Sequence, residues 1–511
     1  MTTPPAQLFT RQLAAFAAVK LALHVVVNAT TQFGFQRDEF LYFAMGRHLR
    51  LWQMDFPPGI ALAANAVRFT LGDSMTAIRM VPALAGTAVL VLAVLMTSRL
   101  GGGRMAQAFT ALAFTTSPLF LRTSSLFQPV VLDQLTWTCA LYCLLRLGDE
   151  DRPRWWLLLG TALGLGLLVK FSMLIFGFAL LLALLATPHR AALRTRWPWV
   201  AAAIAFAVGS PSFAGQIALH YPVITQMGQL RASQLEHVSY ASFVGGQLLW
   251  GPSAWLGLVA CAALVTRPRF KAQRLAGWTC VFAELVVMLA HGKSYYIGPV
   301  FPLLIAAAGV LLEASSDAAR VPRATIVGAG WIAVTALLGA FTLPIALPIL
   351  TPSATAAYIH GAHLDITRRN NQGALEVLPQ DFADMLGWEE QANAMARAWR
   401  ALTPAQRAEA VIGASNYGRA GALDYYGPTL GLPPAISTAG SYWFFGPGDR
   451  PGNVALVIED TDRNLKRVWA EVRPVAHLHS SWSVREEQET NIFLCLRPRQ
   501  PLQQLWPSFA H

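Results

Sequence analysis

Thr76-Ala-Ile-Arg-Met-Val-Pro-Ala-Leu-Ala-Gly-Thr-Ala-Val-Leu-Val-Leu-Ala-Val-Leu-Met-Thr-Ser98 carries one charge, Arg79, and is followed directly by Arg99. A helix needs roughly 20 apolar residues to cross a hydrocarbon core of about 30 Å, so this stretch reads as a membrane span. Runs of the same kind lie near 11–31, 105–121, 129–147, 156–170, 171–186, 199–219, 247–266, 275–291, 298–314 and 324–350. The sequence therefore predicts an α-helical polytopic membrane protein with about eleven spans. The first run, Leu13 to Val27, has the length of a signal peptide, but no convincing small-x-small cleavage site follows it, and it is read as a span.

Composition agrees. The 511 residues are 54% hydrophobic and 13% charged. With the 39 glycines included the apolar share is about 62%, against about 45–50% for a soluble globular chain. A soluble enzyme and a mostly disordered chain are both excluded. The net charge of +11 does not indicate nucleic acid, because of where it lies. Residues 1–350 hold 25 basic and 12 acidic residues, and residues 351–511 hold 14 and 16. The basic residues sit in short clusters between apolar runs: Arg99 and Arg104; Arg152 and Arg154; Arg190, Arg194 and Arg196; Arg267, Arg269, Lys271 and Arg274; Arg320 and Arg323. Under the positive-inside rule these clusters are cytoplasmic. Both flanks of 156–186 are basic, so two short spans turning near Lys170 fit better than one long span. The N-terminus is then cytoplasmic and the tail lies on the opposite, periplasmic side of a bacterial inner membrane. Four of the five cysteines lie in apolar runs and Cys495 is alone in the tail, which leaves neither an internal disulfide for the tail nor a metal-type spacing.

The composition changes after Leu350. Pro344, Pro348 and Pro352 punctuate the exit, and 351–511 reads as a small α/β domain outside the membrane domain 1–350. Ala408 to Ser415 and Val454 to Ile458 are predicted strands, and Phe382 to Leu402 a predicted helix.

Charges at the outer mouth of a membrane protein are costly to hold and are functional candidates. In this topology they are Arg37, Asp38, Glu39, Asp55, Asp133, Lys170, Arg231, Glu236, His237 and Lys293. They are densest in the first outer loop, Gly34-Phe-Gln-Arg-Asp-Glu-Phe-Leu-Tyr-Phe-Ala-Met-Gly-Arg-His-Leu49, which leads to Trp52-Gln-Met-Asp-Phe-Pro-Pro-Gly59. Asp38 is placed to cap the next helix, on which Leu41, Met45, His48, Leu49 and Trp52 share one face, as in a helix lying in the interface. The plain reading of Asp38 and Glu39 is a cap and a solvated partner for Arg37; that of Asp55, a turn former before Pro57 and Pro58. Lysine occurs only at positions 20, 170, 271, 293 and 466. Lys293 heads Lys293-Ser-Tyr-Tyr-Ile-Gly-Pro299, where it either snorkels or offers a point charge to phosphate beside the hydroxyls of Tyr295 and Tyr296. Glu284 sits midway along its span, where pairing between helices competes with a catalytic role.

These motifs, in this order, resemble glycosyltransferase family 39, the dolichyl-phosphate-mannose protein mannosyltransferases and their bacterial relatives within the C-type glycosyltransferases. Gln128-Pro-Val-Val-Leu-Asp-Gln-Leu-Thr-Trp137, Gly292-Lys-Ser-Tyr-Tyr-Ile-Gly-Pro-Val-Phe-Pro302 and Asn416-Tyr-Gly-Arg-Ala-Gly-Ala-Leu-Asp-Tyr-Tyr-Gly427 also look like bacterial members. The resemblance implies a polyprenyl-phosphate sugar donor, chemistry on the outer face and inversion at the anomeric carbon. It makes Asp38 the base, with Glu39 as its neighbour and substitute. Lys293 and Tyr295 match the segment that holds the donor phosphate, and Asp133 an acidic position near sugar or acceptor. The aminoarabinose transferases of lipid A share this layout but place a lysine where this chain has Phe56, which shifts the phosphate onto Lys293, Lys170 or Arg231. No cofactor is expected; Asp38, Glu39 and Asp55 could share a hard cation, but no obligatory metal is expected. The expected partners are the lipid-linked donor and an acceptor such as lipid A, a surface glycan or a protein. A secondary transporter is the main alternative reading and a catalytically silent assembly partner the third. Transporters usually show paired repeats and midplane polar sites, whereas here the charges crowd the outer edge.

Overall fold

The computed structural model describes residues 6–318, 322–370 and 373–509, so Arg320 lies outside the described residues. The chain divides into two compact units. One comprises Met1–Thr30, Leu51–Ile60 and Thr76–Ile349, and the other Thr31–Arg50, Ala61–Met75 and Leu350–His511. The second unit thus gathers two segments that the sequence assigns to the membrane domain.

The first unit is helical. Among the described residues seven helices are long and apolar enough to cross a membrane: Thr10–Thr30, Met75–Arg99, Pro129–Asp149, Trp197–Ala218, Pro268–Leu289, Ser294–Ala314 and Ile326–Ala346. Two bent pairs, Ser172–Ala186 with Pro188–Arg194 and Tyr240–Leu248 with Pro252–Thr266, raise this to nine at most. The protein is a multi-pass membrane protein, and among the described residues the helices that qualify by length and apolarity are fewer than the eleven spans expected. The physical cause is helix breakage. The apolar run at 105–121 splits into Arg104–Thr116 and Pro118–Thr123 with Ser117 extended between them, because a proline disfavours helical backbone in the residue before it. The run 156–186 parts at Lys170, which is extended, into Pro153–Val169 and Ser172–Ala186, where the sequence already expects a turn.

A buried lysine stabilises the first of these breaks. Pro118 has no N–H to give to the carbonyl four residues back, that of Phe114. Lys20, at 0% exposure, donates to it at 3.1 Å and to the Phe120 carbonyl at 3.2 Å. At the other end of the same helix, Glu313 accepts from the backbone N–H of Gly103, of Met105 at 3.0 Å and of Ala106 at 3.4 Å.

The second unit holds a five-stranded sheet: β1 (Ala410–Ala414), β2 (Ala435–Ile436), β3 (Val454–Glu459), β4 (Trp469–His479) and β5 (Glu489–Pro498), in the order β2-β1-β3-β5-β4. β1 lies parallel to β2 and β3, with Ile412 opposite Leu456; β5 runs antiparallel to β3 and β4. β1 is buried throughout and β3 nearly so, which is why both read as continuous apolar runs. The residues just before β1 form the short helix Pro404–Glu409. The predicted helix over 382–402 is two, Gln380–Ala383 and Trp388–Ala401, parted by a turn at Gly387 whose φ of 92° suits glycine. All five cysteines are free thiols.

The helix expected to lie in the membrane interface is a core element of this unit. It runs Arg37–Arg47 and packs on Tyr417–Leu430. Leu41 and Met45 are buried by protein, Met45 completely. Trp52 lies beyond the helix end and is half exposed. The apolar stripe is real, but protein covers it rather than lipid.

Candidate active site

The geometry around Asp38 begins with the cap of its helix. Gln36, not Asp38, is the cap: its side-chain oxygen accepts from Asp38 N at 2.8 Å, and Glu39 Oε2 accepts from Gln36 N at 2.7 Å. This box occupies Glu39, which is fully buried, and sets Asp38 apart for another partner. That partner is Tyr417, whose hydroxyl donates to Asp38 Oδ1 at 2.8 Å.

Tyr417 is the first residue of Tyr417–Leu430, capped by Asn416, whose Oδ1 accepts from Arg419 N at 2.9 Å. The helix reaches the Asp38 helix through glycines. A Cβ at Gly418 would lie 2.5 Å from Arg37 Cγ, and one at Gly421 2.6 Å from Phe40 Cβ. The Asn416-to-Gly427 motif is thus a close-packing surface for the carboxylate-bearing helix. Its N-terminus is clamped by Arg419, at 1% exposure, which donates to Glu487 Oε2 at 2.8 Å, Asp460 Oδ1 at 2.6 Å and Ser415 Oγ at 2.6 Å. Glu487 also accepts from Asn416 at 2.9 Å and Gln391 at 3.0 Å.

Arg37 pairs with Asp384 at 2.7 Å and with Glu486 at 3.1 Å. Backbone bonds from Gly34 to Met385 and from Arg37 to Asp384 fix the loop before the helix. Burial pushes the Asp38 carboxyl above the usual range, and the Tyr417 hydrogen bond and Arg37 charge only partly oppose it. Burial likewise pushes Asp384 up to about 7 against the pull of Arg37. Tyr417 is held protonated by burial and by the neighbouring Asp38 charge.

The remaining sequence-predicted residues lie in the helical unit, and several of them converge. Asp133, buried in the first turns of Pro129–Asp149, accepts from Ser172 Oγ at 2.8 Å. Two residues before Ser172, Lys170 places Nζ 5.2 Å from the ring centroid of Tyr296, within cation–π range. Tyr295 meets Tyr296 edge to face at 4.7 Å. Tyr296 N bonds to the Lys293 carbonyl at 3.0 Å, and Lys293 Nζ donates to Gln234 Oε1. Asp55 is buried elsewhere in the unit, its carbonyl accepting from Gln216 and its carboxylate 3.5 Å from Gln226 Nε2. Arg231 is exposed and pairs with Glu236 at 3.6 Å. Among the described residues no group of three His, Cys, Asp or Glu is arranged to hold a metal ion.

Sequence reasoning missed Tyr417, Asp384, Arg419 and Glu487 as members of the Asp38 setting, and Ser172 and Gln234 as partners of the predicted residues. Only the Asn416 motif carried a signal.

Comparison with known proteins supports the fold. The fold is similar to that of ArnT from Cupriavidus metallidurans bound to undecaprenyl phosphate, with a TM-score of 0.62 and 17% identity over 95% of this chain and 98% of that chain. The apo state of ArnT matches with a TM-score of 0.57 and 17% identity over 98% and 99%. The oligosaccharyltransferase AglB from Archaeoglobus fulgidus, in complex with an inhibitory peptide and a dolichol-phosphate, matches with a TM-score of 0.50 and 11% identity over 82% and 63%. No curated protein sequence matches the chain. These likenesses show a fold of the ArnT-like, C-type glycosyltransferase kind. The family model of the dolichyl-phosphate-mannose-protein mannosyltransferases matches residues 55–214 of the chain.

Proposed function

We propose that this enzyme moves one sugar from a polyprenyl-phosphate donor to an acceptor hydroxyl on the outer face of a bacterial inner membrane, with inversion at the anomeric carbon. Asp38 takes the proton of the acceptor hydroxyl as that oxygen bonds to the anomeric carbon. The bond from that carbon to the phosphate oxygen breaks, and the polyprenyl phosphate leaves with the electron pair. The observation that carries this reading is the Asp38 carboxylate itself. It is held by a protonated tyrosine in a partly desolvated setting that raises its proton affinity towards working pH, as general-base chemistry requires.

The donor phosphate is assigned to the Lys293, Tyr295, Tyr296 and Lys170 group, a concentration of cationic and hydroxyl donors in a unit otherwise poor in lysine. The undecaprenyl phosphate bound to ArnT, a protein of the same fold, agrees with a lipid phosphate as ligand. Asp133 is assigned to sugar or acceptor. Asp55, fixed by two glutamines, supports the loop before Pro57. Lipid A, a surface glycan or an envelope protein are the acceptors considered, with the tail outside and the N-terminus in the cytoplasm. The scheme uses side chains alone, so excess EDTA is expected to leave the rate unchanged.

Mass spectrometry of lipid A, surface glycans and envelope proteins from a deletion strain beside its parent tests the assignment. A missing sugar-sized mass on one of them, restored by the wild-type gene, is the expected result. Identical spectra, together with sugar counterflow in proteoliposomes free of polyprenyl lipid, would overturn it in favour of a carrier.

A further inference from the structure

The hydrogen bond between Tyr417 and Asp38 joins residues 379 positions apart, and it is the end of a longer construction. Asn416 caps the helix that Tyr417 begins. Arg419, one turn on, is buried and saturated by Glu487, Asp460, Ser415 and the Glu486 carbonyl. Glu487, itself buried, returns to Asn416 and to Gln391 on Trp388–Ala401. Gly418 and Gly421 remove the side chains that would hold the two helices apart. A buried charged network is a costly way to stabilise a fold and is better suited to fixing one geometry. What this network fixes is the position of a phenol hydroxyl against a carboxylate.

We propose that Tyr417 is a positioning residue for sugar transfer: clamped by Arg419 and Glu487, its hydroxyl holds the Asp38 carboxylate in the orientation from which it accepts the acceptor proton. This rests on the reading of Asp38 as the base. A side-chain carboxylate has a soft terminal torsion, and one short hydrogen bond from a fixed donor removes that freedom. The same bond also tunes the base. Asp38 faces Arg37, Glu39 and Tyr42 on its own helix, Asp381 and Asp384 from the neighbouring turn, and Tyr417 from the packed helix. Glu39, Asp381 and Asp384 disfavour its ionised form, whereas Tyr417 and Arg37 favour it. Removing the hydroxyl removes one of the two favouring groups, so the base stays protonated to higher pH.

The test is the pH profile of kcat in purified enzyme with a labelled polyprenyl-phosphate sugar. Tyr417→Phe is expected to lower kcat about tenfold, leave KM for the donor within about twofold, and move the acid limb upward by about one pH unit. Fluorotyrosine at position 417 keeps the shape and donates more strongly, so it is expected to move the limb downward. Opposite shifts from the two replacements are what a merely structural tyrosine cannot produce. A limb that stays in place with either replacement, or a Tyr417→Phe enzyme equal to wild type, overturns the proposal. Asp38→Asn is run in parallel: wild-type transfer there would overturn the base assignment itself, whereas an inactive Asp38→Asn beside a wild-type-like Tyr417→Phe would overturn only the clamp.

Discussion

In the unit built on 350–511, two buried arginines meet opposite charge. Arg419 pairs with Glu487 and Asp460, and Arg37 with Asp384 and Glu486. In the helical unit, several charges among the apolar spans meet neutral dipoles. Lys20 is held by two carbonyls, Glu313 by three backbone N–H groups, Asp133 by a serine hydroxyl and Lys293 by a glutamine amide. Ion pairs of the helical unit, such as Glu150 with Arg146, Arg152 and Arg154, lie where helices end. The two solutions serve different purposes. A saturated ion network fixes geometry, as the Asp38 setting needs. A lysine that meets a neutral dipole keeps its positive charge, which suits the phosphate site proposed above.

The contrast can be broken by substitution. Arg419→Met leaves two carboxylates without their counter-charge, one of them fully buried, and is expected to cost about 3–5 kcal/mol in the second unit; loss of its unfolding transition in calorimetry is the readout. In the helical unit, Lys293→Met is expected to raise KM for the lipid-linked donor by about 10–100-fold, roughly 1.4–2.8 kcal/mol, with a smaller change in kcat. Lys20→Met exposes the Phe114 carbonyl to an apolar interior and is expected to cost about 1–3 kcal/mol. Adding Pro118→Ala restores the missing N–H and should recover part of that loss, which thermal inactivation in detergent can measure.

The smallest expected effect is in the pH dependence of stability. The Asp384 carboxyl is raised in the folded state to about 7 from 3.8, so the folded chain binds a proton that the unfolded chain has released. Its contribution therefore falls as pH rises from about 4 through 7. Asp384→Asn is expected to flatten the decline of melting temperature across that window.

The sequence makes one side of the comparison much easier to read than the other. The membrane spans and strands β1 and β3 are legible because burial on all sides leaves continuous apolar runs. The apolar runs outnumber the long apolar helices among the described residues because hydropathy does not register a break such as that at Ser117 and Pro118. The stripe Leu41, Met45 shows an apolar face but not its cover; lipid and the Tyr417 helix demand the same residues. Asp38 stands out by its motif, whereas Tyr417, Arg419 and Glu487 reach it only through the fold, and no local spacing encodes a contact between residues so far apart in the chain. Lys20 is visible as a rare lysine within a span, yet its purpose appears only beside the proline that frees its carbonyl.

Single-turnover transfer of labelled sugar from a polyprenyl-phosphate donor, by wild-type and Asp38→Asn enzyme in the same membranes, tests the central claim most directly. The account predicts a loss of about 10²–10⁴-fold in rate with donor binding retained, since Asp38 acts on the acceptor and the phosphate is held by the lysine and tyrosine group. Transfer by Asp38→Asn at the wild-type rate, with expression matched, would contradict it.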